Sequence, residues 1–292
     1  MDSSFRWKDG RGFFGFSRLP STAPMTHAYL DGHPATAGDL RALALSNYGH
    51  FTSMQARARA VRGFDLHLHR LKSATRELFD AKLDDGRICG AILAALDGEG
   101  LDDASVRVTV FSRAFDYAQP DKAVPVDVLV SVAPPREADP KPAWVKTYPF
   151  QRPLPQVKHV GTFPLFQHRR QARRDGFDDA LFVDAKGRIS EGSVWNIGFW
   201  DGRQVLWPQA EALRGTGEKL LQAGLAEAGV AQRHLPVEAR ALAGMKAAFA
   251  ANATGVWPIS GIDETALRPD PALMETLAAA LAVHRWQPLA AG

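Results

Sequence analysis

The chain has 292 residues, of which 46% are hydrophobic and 23% are charged, so it is long enough to form one large core or two domains. The formal net charge is only +3, and acidic and basic residues are interspersed, which argues against a nucleic-acid-binding surface. No apolar run approaches the roughly 20 residues that span a bilayer, and no signal-peptide pattern is visible, so a membrane partner is not expected.

The only cysteine, Cys89, lies in an apolar stretch and is predicted to be a small buried hydrophobe. A chain that cannot form an internal disulfide fits a reducing cytoplasm. Residues 1–24 are rich in Gly, Ser, Arg and Phe without a clear period, and we expect them to form an N-terminal extension.

Short strand-like runs alternate with helical segments in the first half of the chain, and this mixture predicts a smaller α/β domain, of the α+β type, over residues 25–133. The strand-like runs are His27–Leu30, Phe51–Ala56, Val106–Phe111 and Val126–Val132. The clearest helix follows Phe64, with Asp65 as its predicted N-cap. Its buried face is predicted to carry Leu68, Leu71, Thr75 and Leu78.

Four prolines between Ala133 and Pro142 forbid regular structure, so residues 134–142 are predicted to be a linker. Residues 143–292 would then form a larger cofactor-binding domain. Its predicted strands are Trp144–Tyr148, Asp179–Asp184, Trp195–Trp200 and Phe249–Asn252, and its predicted helices are Phe166–Arg174, Glu218–Gly229 and Pro271–His284.

One lysine and one glutamate lie at the edges of apolar segments in this second half. Lys158 and Glu191 each have a common structural explanation, as an exposed ammonium and as part of a polar turn between strands. A desolvated lysine is nucleophilic toward an aldehyde, however, and a carboxylate beneath a pyridine ring keeps the ring nitrogen protonated. The pair is therefore a candidate site for pyridoxal 5'-phosphate, although its spacing alone does not decide the matter.

The block from Lys158 to Phe199 resembles the class IV aminotransferases, the pyridoxal-phosphate family of fold type IV. This family includes branched-chain and D-amino-acid aminotransferases and aminodeoxychorismate lyase, and the likeness extends from about Ala28 to about Ser260. It implies two α/β domains with the cofactor between them, and a homodimer. It also implies a Schiff base at Lys158 and pairing of Glu191 with the pyridine nitrogen.

The segment Leu213–Leu221 has the pattern of a glycine-rich turn that enters a helix, whose first amides can bind phosphate. The resemblance places the cofactor phosphate at Gly215, Thr216 and Gly217. It adds Arg70, whose guanidinium suits a phosphate, and Thr254. A surface ion pair for Arg70 and an ordinary strand-end role for Thr254 remain alternatives.

The turn departs from the family pattern, because Arg214 replaces a proline and Thr216-Gly217 replaces an aliphatic-Thr pair. We expect the amides of Thr216 and Gly217 to face the phosphate, while the hydroxyl contact stays open. Glu218 would repel the phosphate unless its side chain turned outward.

Phe163 stands where the aminotransferases often have a tyrosine that hydrogen-bonds the cofactor ring oxygen. The leading hypothesis is amino-group transfer from an amino acid or amine to a keto acid, with Lys158 as general acid and base. The alternatives are an aminodeoxychorismate lyase-like elimination that releases pyruvate, and a cofactor-binding homologue without turnover.

Substrate residues are predicted at Tyr48, Thr52 and Arg107, with Arg113 as a second candidate arginine, because a carboxylate substrate favours a guanidinium partner. Either arginine could equally be a solvated strand residue. No metal site is expected: His67 and His69 are spaced so that they point to different helix faces.

Overall fold

The computed structural model describes residues 27–290, which form six helices and sixteen strands in two sheets. The extension expected over residues 1–24 lies outside the described residues. The helices are α1 Ala37–Ser46, α2 Phe64–Phe79, α3 Asp85–Glu99, α4 Phe163–Arg174, α5 Thr216–Glu227 and α6 Pro271–Ala282. The strands are β1 Ala28–Leu30, β2 His33–Pro34, β3 His50–Arg57, β4 Ala60–Arg62, β5 Ala104–Phe111, β6 Asp127–Ala133, β7 Ala143–Pro149, β8 Asp179–Val183, β9 Ile189–Gly192, β10 Asn196–Trp200, β11 Val205–Pro208, β12 Gln232–Leu235, β13 Ala247–Asn252, β14 Gly255–Ile262, β15 Thr265–Ala266 and β16 Trp286–Pro288.

The first sheet has the strand order β16-β4-β3-β5-β6-β1-β2, and all its neighbouring strands are antiparallel. Helices α2 and α3 cover one face of this sheet and form its main core. Leu71 of α2, Ile92 and Leu96 of α3 and Val108 of β5 are fully buried in that core. Burial of these apolar side chains stabilises the packing of the two helices on the sheet.

The second sheet has the strand order β12-β11-β10-β13-β14-β7-β8-β9, with β15 paired to β14. Strand β7 runs parallel to β14 and β8, so the chain must cross over between β7 and β8, and it does so through α4. Helices α5 and α6 pack on the same sheet, where Leu221, Phe249 and Leu277 are fully buried.

The two sheets and six helices confirm the mixed α/β fold class. Each strand and helix named in the sequence prediction lies at the expected place in the chain, to within a few residues at its ends. On α2, Leu71, Thr75 and Leu78 are buried and Leu68 packs against them, as the spacing predicts. Cys89 is buried and free.

The predicted N-cap of α2 is wrong. The helix begins at Phe64, and its N-cap is Gly63, which adopts a left-handed conformation with φ of 66°. This conformation is accessible to glycine and lets the chain turn from β4 directly into the helix, so Asp65 lies in the first helical turn instead.

Residues 134–142 have no regular secondary structure between β6 and β7. The last strand, β16, pairs with β4 and therefore adds the C-terminal end of the chain to the first sheet. None of the helices between residues 27 and 290 is long and apolar enough to cross a membrane.

Candidate active site

A cavity of about 380 Å³ is lined by strands of both sheets and by the start of α5. It brings together seven of the residues predicted from the sequence. These are Arg70, Arg107, Lys158, Glu191, Gly215, Thr216 and Thr254. Gly217, the next residue of α5, lines a smaller pocket that adjoins this cavity.

Lys158 lies in the irregular segment between β7 of the second sheet and α4. Its backbone is tied to the first sheet, because its carbonyl accepts a hydrogen bond of 2.8 Å from the Phe51 amide. The amide of Val160 donates to the carbonyl of Gly49 at 2.9 Å, which fixes the chain on the other side of the lysine. Lys158 is thus held at the junction of the two sheets.

The amine of Lys158 lies in a cationic and desolvated environment. Burial, followed by the nearby charges of Arg70 and Arg152, lowers its pKa to about 7, although the Glu191 carboxylate acts in the opposite direction. Its Nζ atom is 4.9 Å from the centroid of the Phe51 ring. A large fraction of this amine is therefore neutral, and so nucleophilic, near neutral pH.

Glu191 forms a buried ion pair with Arg152. Arg152 Nε donates to Glu191 Oε1 at 2.9 Å, its Nη2 donates to Oε2 at 3.4 Å, and both side chains are almost fully buried. The amide of Leu213 also donates to Oε1, at 3.3 Å. Three donors from two segments therefore hold the carboxylate in one orientation at the cavity wall.

The alternative explanation of Glu191 as part of a polar turn does not hold, because Glu191 lies within the buried strand β9. The turn that follows is ordered by Asp179, whose carboxylate accepts hydrogen bonds from Ser193 Oγ at 2.7 Å and from Trp195 Nε1 at 3.1 Å. Gly192 leaves the space that the Trp195 ring occupies. This packing explains why a polar sequence is buried here.

Asn196 holds the glycine-rich turn before α5 in place. Its Nδ2 donates to the carbonyl of Leu213 at 2.8 Å, and its Oδ1 accepts from the amide of Gly215 at 3.1 Å. A Cβ on Gly215 would clash with Asn196 Oδ1, and a Cβ on Gly217 would clash with the carbonyl oxygen of Asn252. Only glycine allows these close approaches.

Arg70 and Thr254 lie at the same end of the cavity as the first turn of α5. Arg70 Nη2 donates to the carbonyl of Arg214 at 3.0 Å, and burial, followed by the charge of Arg152, lowers its pKa to about 10. Thr254 follows β13, and its amide and hydroxyl both donate to Asn252 Oδ1. The first amides of α5 and one guanidinium thus form a cup suited to an anion, with Thr254 at its edge. We call these residues, Arg70, Thr216, Gly217 and Thr254, the anion cup.

The sequence leaves open whether Glu218 turns outward, and the structure shows that its side chain is buried. Its Oε1 accepts hydrogen bonds from Arg214 Nη1 and from Gln222 Nε2, both at 3.1 Å. Burial raises the pKa of Glu218, while the Arg214 cation opposes the shift. Arg214, which replaces the family's proline, therefore compensates the charge that would otherwise repel an anion in the cup.

Four other residues singled out in the sequence lie away from the cavity. Thr52 is buried against His67, with 2.6 Å between Oγ1 and Nδ1, and the Tyr48 hydroxyl donates to the carbonyl of Leu78. Arg113 forms ion pairs with two aspartates. Phe163 begins α4 with its side chain 74% exposed, so its ring does not occupy a tyrosine-like position in the cavity.

Three important residues were missed by the sequence reasoning, namely Arg152, Asn196 and Asp179. Arg152 lies in an irregular segment that has no period to mark it as buried. Asn196 and Asp179 stand at the starts of strands that were predicted, but their partners are distant in the sequence. One signal for Arg152 does exist: a carboxylate that is buried, as Glu191 is, requires a cation nearby.

Residues 49–262 match the family described as Amino-transferase class IV. The match covers most of the chain, which therefore belongs to the class IV aminotransferases and is an enzyme of that family. Among curated proteins, none matches the sequence significantly.

Three solved structures illustrate the likeness in fold. The branched-chain aminotransferase from Thermoproteus uzoniensis is 17% identical with a TM-score of 0.78, covering 87% of this chain and 93% of its own. The branched-chain aminotransferase from T.th., complexed with N-(5'-phosphopyridoxyl)-L-glutamate, is 17% identical with a TM-score of 0.77, covering 87% and 92%. A candidate 4-amino-4-deoxychorismate lyase from Legionella pneumophila is 17% identical with a TM-score of 0.71, covering 82% and 92%. These structures share the fold of this chain.

Replacement of Arg152 by Gln tests the buried ion pair. Loss of the cation leaves a buried carboxylate without its charged partner, so we expect R152Q to lower the free energy of unfolding by about 3–5 kcal/mol. The measurement is urea unfolding of the cofactor-free protein.

The double variant R152Q/E191Q removes both charges and should lose less stability than the sum of the two single variants. Arg240→Gln is the matched control, because Arg240 forms an exposed ion pair with Glu238, and it should change stability by about 1 kcal/mol or less. Equal losses of unfolding free energy for R152Q and R240Q would show that the buried pair stabilises the protein no more than an exposed pair does.

Proposed function

We propose that this protein is a pyridoxal-phosphate-dependent aminotransferase that uses Lys158 to bind the cofactor covalently. The observation that carries the proposal is the position of one partly neutral amine in the same cavity as an oriented carboxylate and an anion cup. Membership of the class IV aminotransferases supports the same reaction. The structure of the T.th. aminotransferase contains a phosphopyridoxyl compound, which supports the choice of cofactor.

The residues of the cavity fit this cofactor at both of its ends. The anion cup offers Arg70 and the first amides of α5 to the phosphate, and no carboxylate intrudes there because Glu218 is paired with Arg214. The Arg152–Glu191 pair supplies a carboxylate with fixed orientation for a protonated pyridine nitrogen. The cavity volume of about 380 Å³ leaves room for a small substrate beside the ring.

When bound, pyridoxal phosphate supplies an aldehyde for the substrate amine and a ring that withdraws electrons from substrate Cα. Glu191 would lie against the positively charged ring nitrogen, and Arg152 holds the Glu191 carboxylate in a fixed orientation. Lys158 Nζ, with a pKa of about 7, is suited to removing the proton from substrate Cα and returning it in the second half of the reaction.

Arg107 is the residue that we propose for the substrate carboxylate. Its Cζ lies 3.6 Å from the centroid of the Phe51 ring, and Lys158 Nζ lies 4.9 Å from the same centroid. The phenyl ring therefore brings the guanidinium and the reactive amine to one part of the cavity. Tyr48 and Thr52 are not retained as substrate residues, because their side chains contact the protein core instead.

An elimination that releases pyruvate is the second candidate reaction. The observation that favours it is the exposed Phe163, which leaves the cavity without the tyrosine hydroxyl common in aminotransferases. Likeness to the Legionella protein is compatible with it but shows only the fold. The third possibility, binding without turnover, predicts a bound cofactor that no amino donor changes.

We further propose that the enzyme is a cytoplasmic homodimer. Phe163, Phe166 and Leu154 are 74%, 50% and 46% exposed, and Phe166 also lines the cavity. Apolar side chains of this size beside a site are typical of a surface that a second subunit covers.

We also retain the proposal of a smaller domain over residues 25–133, a linker over residues 134–142 and a larger domain over residues 143–292.

A panel of amino donors tests the proposed reaction. We expect the visible absorbance of the cofactor-loaded protein to change with at least one L-amino acid, D-amino acid or amine, and a keto acid to reverse the change. Lys158→Ala should reduce turnover by at least about 100-fold, because it lacks the proton-transferring amine. Pyruvate release without a keto-acid acceptor would instead support elimination, and no spectral response to any donor would contradict both reactions.

The pH dependence of cofactor uptake tests the environment of Lys158. Its pKa is lowered to about 7, so the neutral, reactive form is lost below pH 7 and dominates above it. The rate of cofactor incorporation into the cofactor-free protein, followed by visible absorbance, should rise through pH 7 and then level off. A rate that keeps rising to pH 10, as for an ordinary lysine, would contradict the desolvated amine; Lys158→Ala is the control for reaction at other lysines.

A further inference from the structure

A pocket of about 210 Å³ adjoins the cofactor cavity at the anion cup. Thr216 and Thr254 line both spaces, and Gly217 lines the smaller pocket. The pocket is therefore part of the phosphate end of the proposed cofactor site. His67 of α2 lines this pocket but not the larger cavity, so it lies beside the amides of the anion cup without belonging to it.

His67 is a buried side chain that the first sheet holds in one orientation. Its ring is 2% exposed, and Nδ1 lies 2.6 Å from Oγ1 of Thr52, which is fully buried in β3. Since Nδ1 is turned toward β3, the opposite edge of the ring, which carries Nε2, is the part left to face the pocket. Nε2 has no hydrogen-bond partner within the described part of the chain.

The contact with Thr52 determines which ring nitrogen carries the proton. Burial, followed by the charges of Arg70 and Lys158, lowers the pKa of His67 to about 3, so the ring is neutral at pH 7 and has one N–H. Between residues 27 and 290, the Thr52 hydroxyl has no hydrogen-bond partner except this ring. A buried hydroxyl is stable only when its proton is paired, so Thr52 donates to Nδ1 and the ring proton lies on Nε2.

His67 also lies close to the groups that would surround a bound cofactor. It precedes Arg70 by three residues on α2, and side chains at this spacing share one face of a helix. The charges of both Arg70 and Lys158 act on its pKa, which places the ring near the guanidinium and the reactive amine. The N–H of His67 is thus available at the phosphate end of the site.

The anion cup has fewer free donors than its residues suggest. One N–H of Arg70 donates to the carbonyl of Arg214, and the Thr254 hydroxyl donates to Asn252 Oδ1. A phosphate carries several acceptor oxygens, and the buried ones need partners. A further donor beside the first amides of α5 would therefore strengthen binding of the phosphate.

We propose that His67 is a further cofactor-binding residue, whose Nε2–H donates a hydrogen bond to the cofactor phosphate. This proposal rests on the proposed function, because it requires that the cofactor phosphate lies in the anion cup. Thr52 is then a positioning residue, since its hydroxyl keeps the proton of the ring on Nε2. The neutral ring adds a donor without a further positive charge beside Lys158.

Titration of the cofactor-free protein with pyridoxal phosphate, and separately with pyridoxal, tests the proposal in a buffer without phosphate. Both compounds can react with Lys158, so the ratio of their dissociation constants, followed by visible absorbance, isolates the phosphate. In His67→Asn, the shorter side chain can still accept from Thr52 but does not reach as far as Nε2. We expect it to weaken binding of pyridoxal phosphate by about tenfold or more and to leave pyridoxal unchanged.

Thr52→Val keeps the shape of the threonine but removes its hydroxyl, so the ring proton can move to Nδ1. It should also weaken binding of pyridoxal phosphate selectively, by a smaller factor, and it keeps the test decisive if His67→Asn does not fold. His69→Gln is the matched control, because His69 is exposed on the same helix and contacts only Ser73 among the described side chains. It should leave the ratio unchanged.

An unchanged ratio in the His67 and Thr52 variants, or an equal loss for both compounds, would overturn the role of His67. In that case the wild-type protein would still change its visible absorbance with pyridoxal phosphate, and the proposed aminotransferase function would stand. A wild-type protein that shows no such change would contradict the proposed function, and the role of His67 with it.

Discussion

The buried ion pair between Arg152 and Glu191 is the interaction on which the proposed site depends. Removing two charges from water is unfavourable, so the pair is stable only because its geometry is good and the Leu213 amide gives the carboxylate a further donor. Arg152 also contributes to the low pKa of Lys158 and Arg70. Arg152 thus orients the Glu191 carboxylate, helps to lower the pKa of the Lys158 amine and raises the positive potential of the cavity.

The arrangement of the two sheets explains how these groups meet. The segment that carries Arg152 and Lys158 leaves the second sheet after β7 and is hydrogen-bonded to the start of β3 in the first sheet. Glu191 comes from β9, and Asn196 at the start of β10 holds the turn that leads into α5. Backbone hydrogen bonds and buried polar side chains therefore fix the site from both sides, which is the kind of preorganisation that catalysis requires.

Much of the fold and part of the candidate site could be predicted from the sequence. Lys158 and Glu191 stand in a local block whose order resembles a known family, and strands such as β5 show clear apolar patterns. Arg152 could not be found in this way, because its partner lies 39 residues away and its own segment is irregular. The burial of Glu218 could not be predicted either, because the sequence does not show that Arg214 pairs with it. Long-range pairing of charges is what the sequence leaves undetermined.

We propose that Lys158, among all the lysines of the chain, holds the cofactor covalently. Borohydride reduction of the cofactor-loaded protein, followed by peptide mass mapping, tests this claim most directly, because reduction converts the carbon-nitrogen link to a stable amine. We expect one phosphopyridoxyl group per chain, on the peptide that contains Lys158. A label on another lysine, or no covalent label in a protein that retains the cofactor, would contradict it.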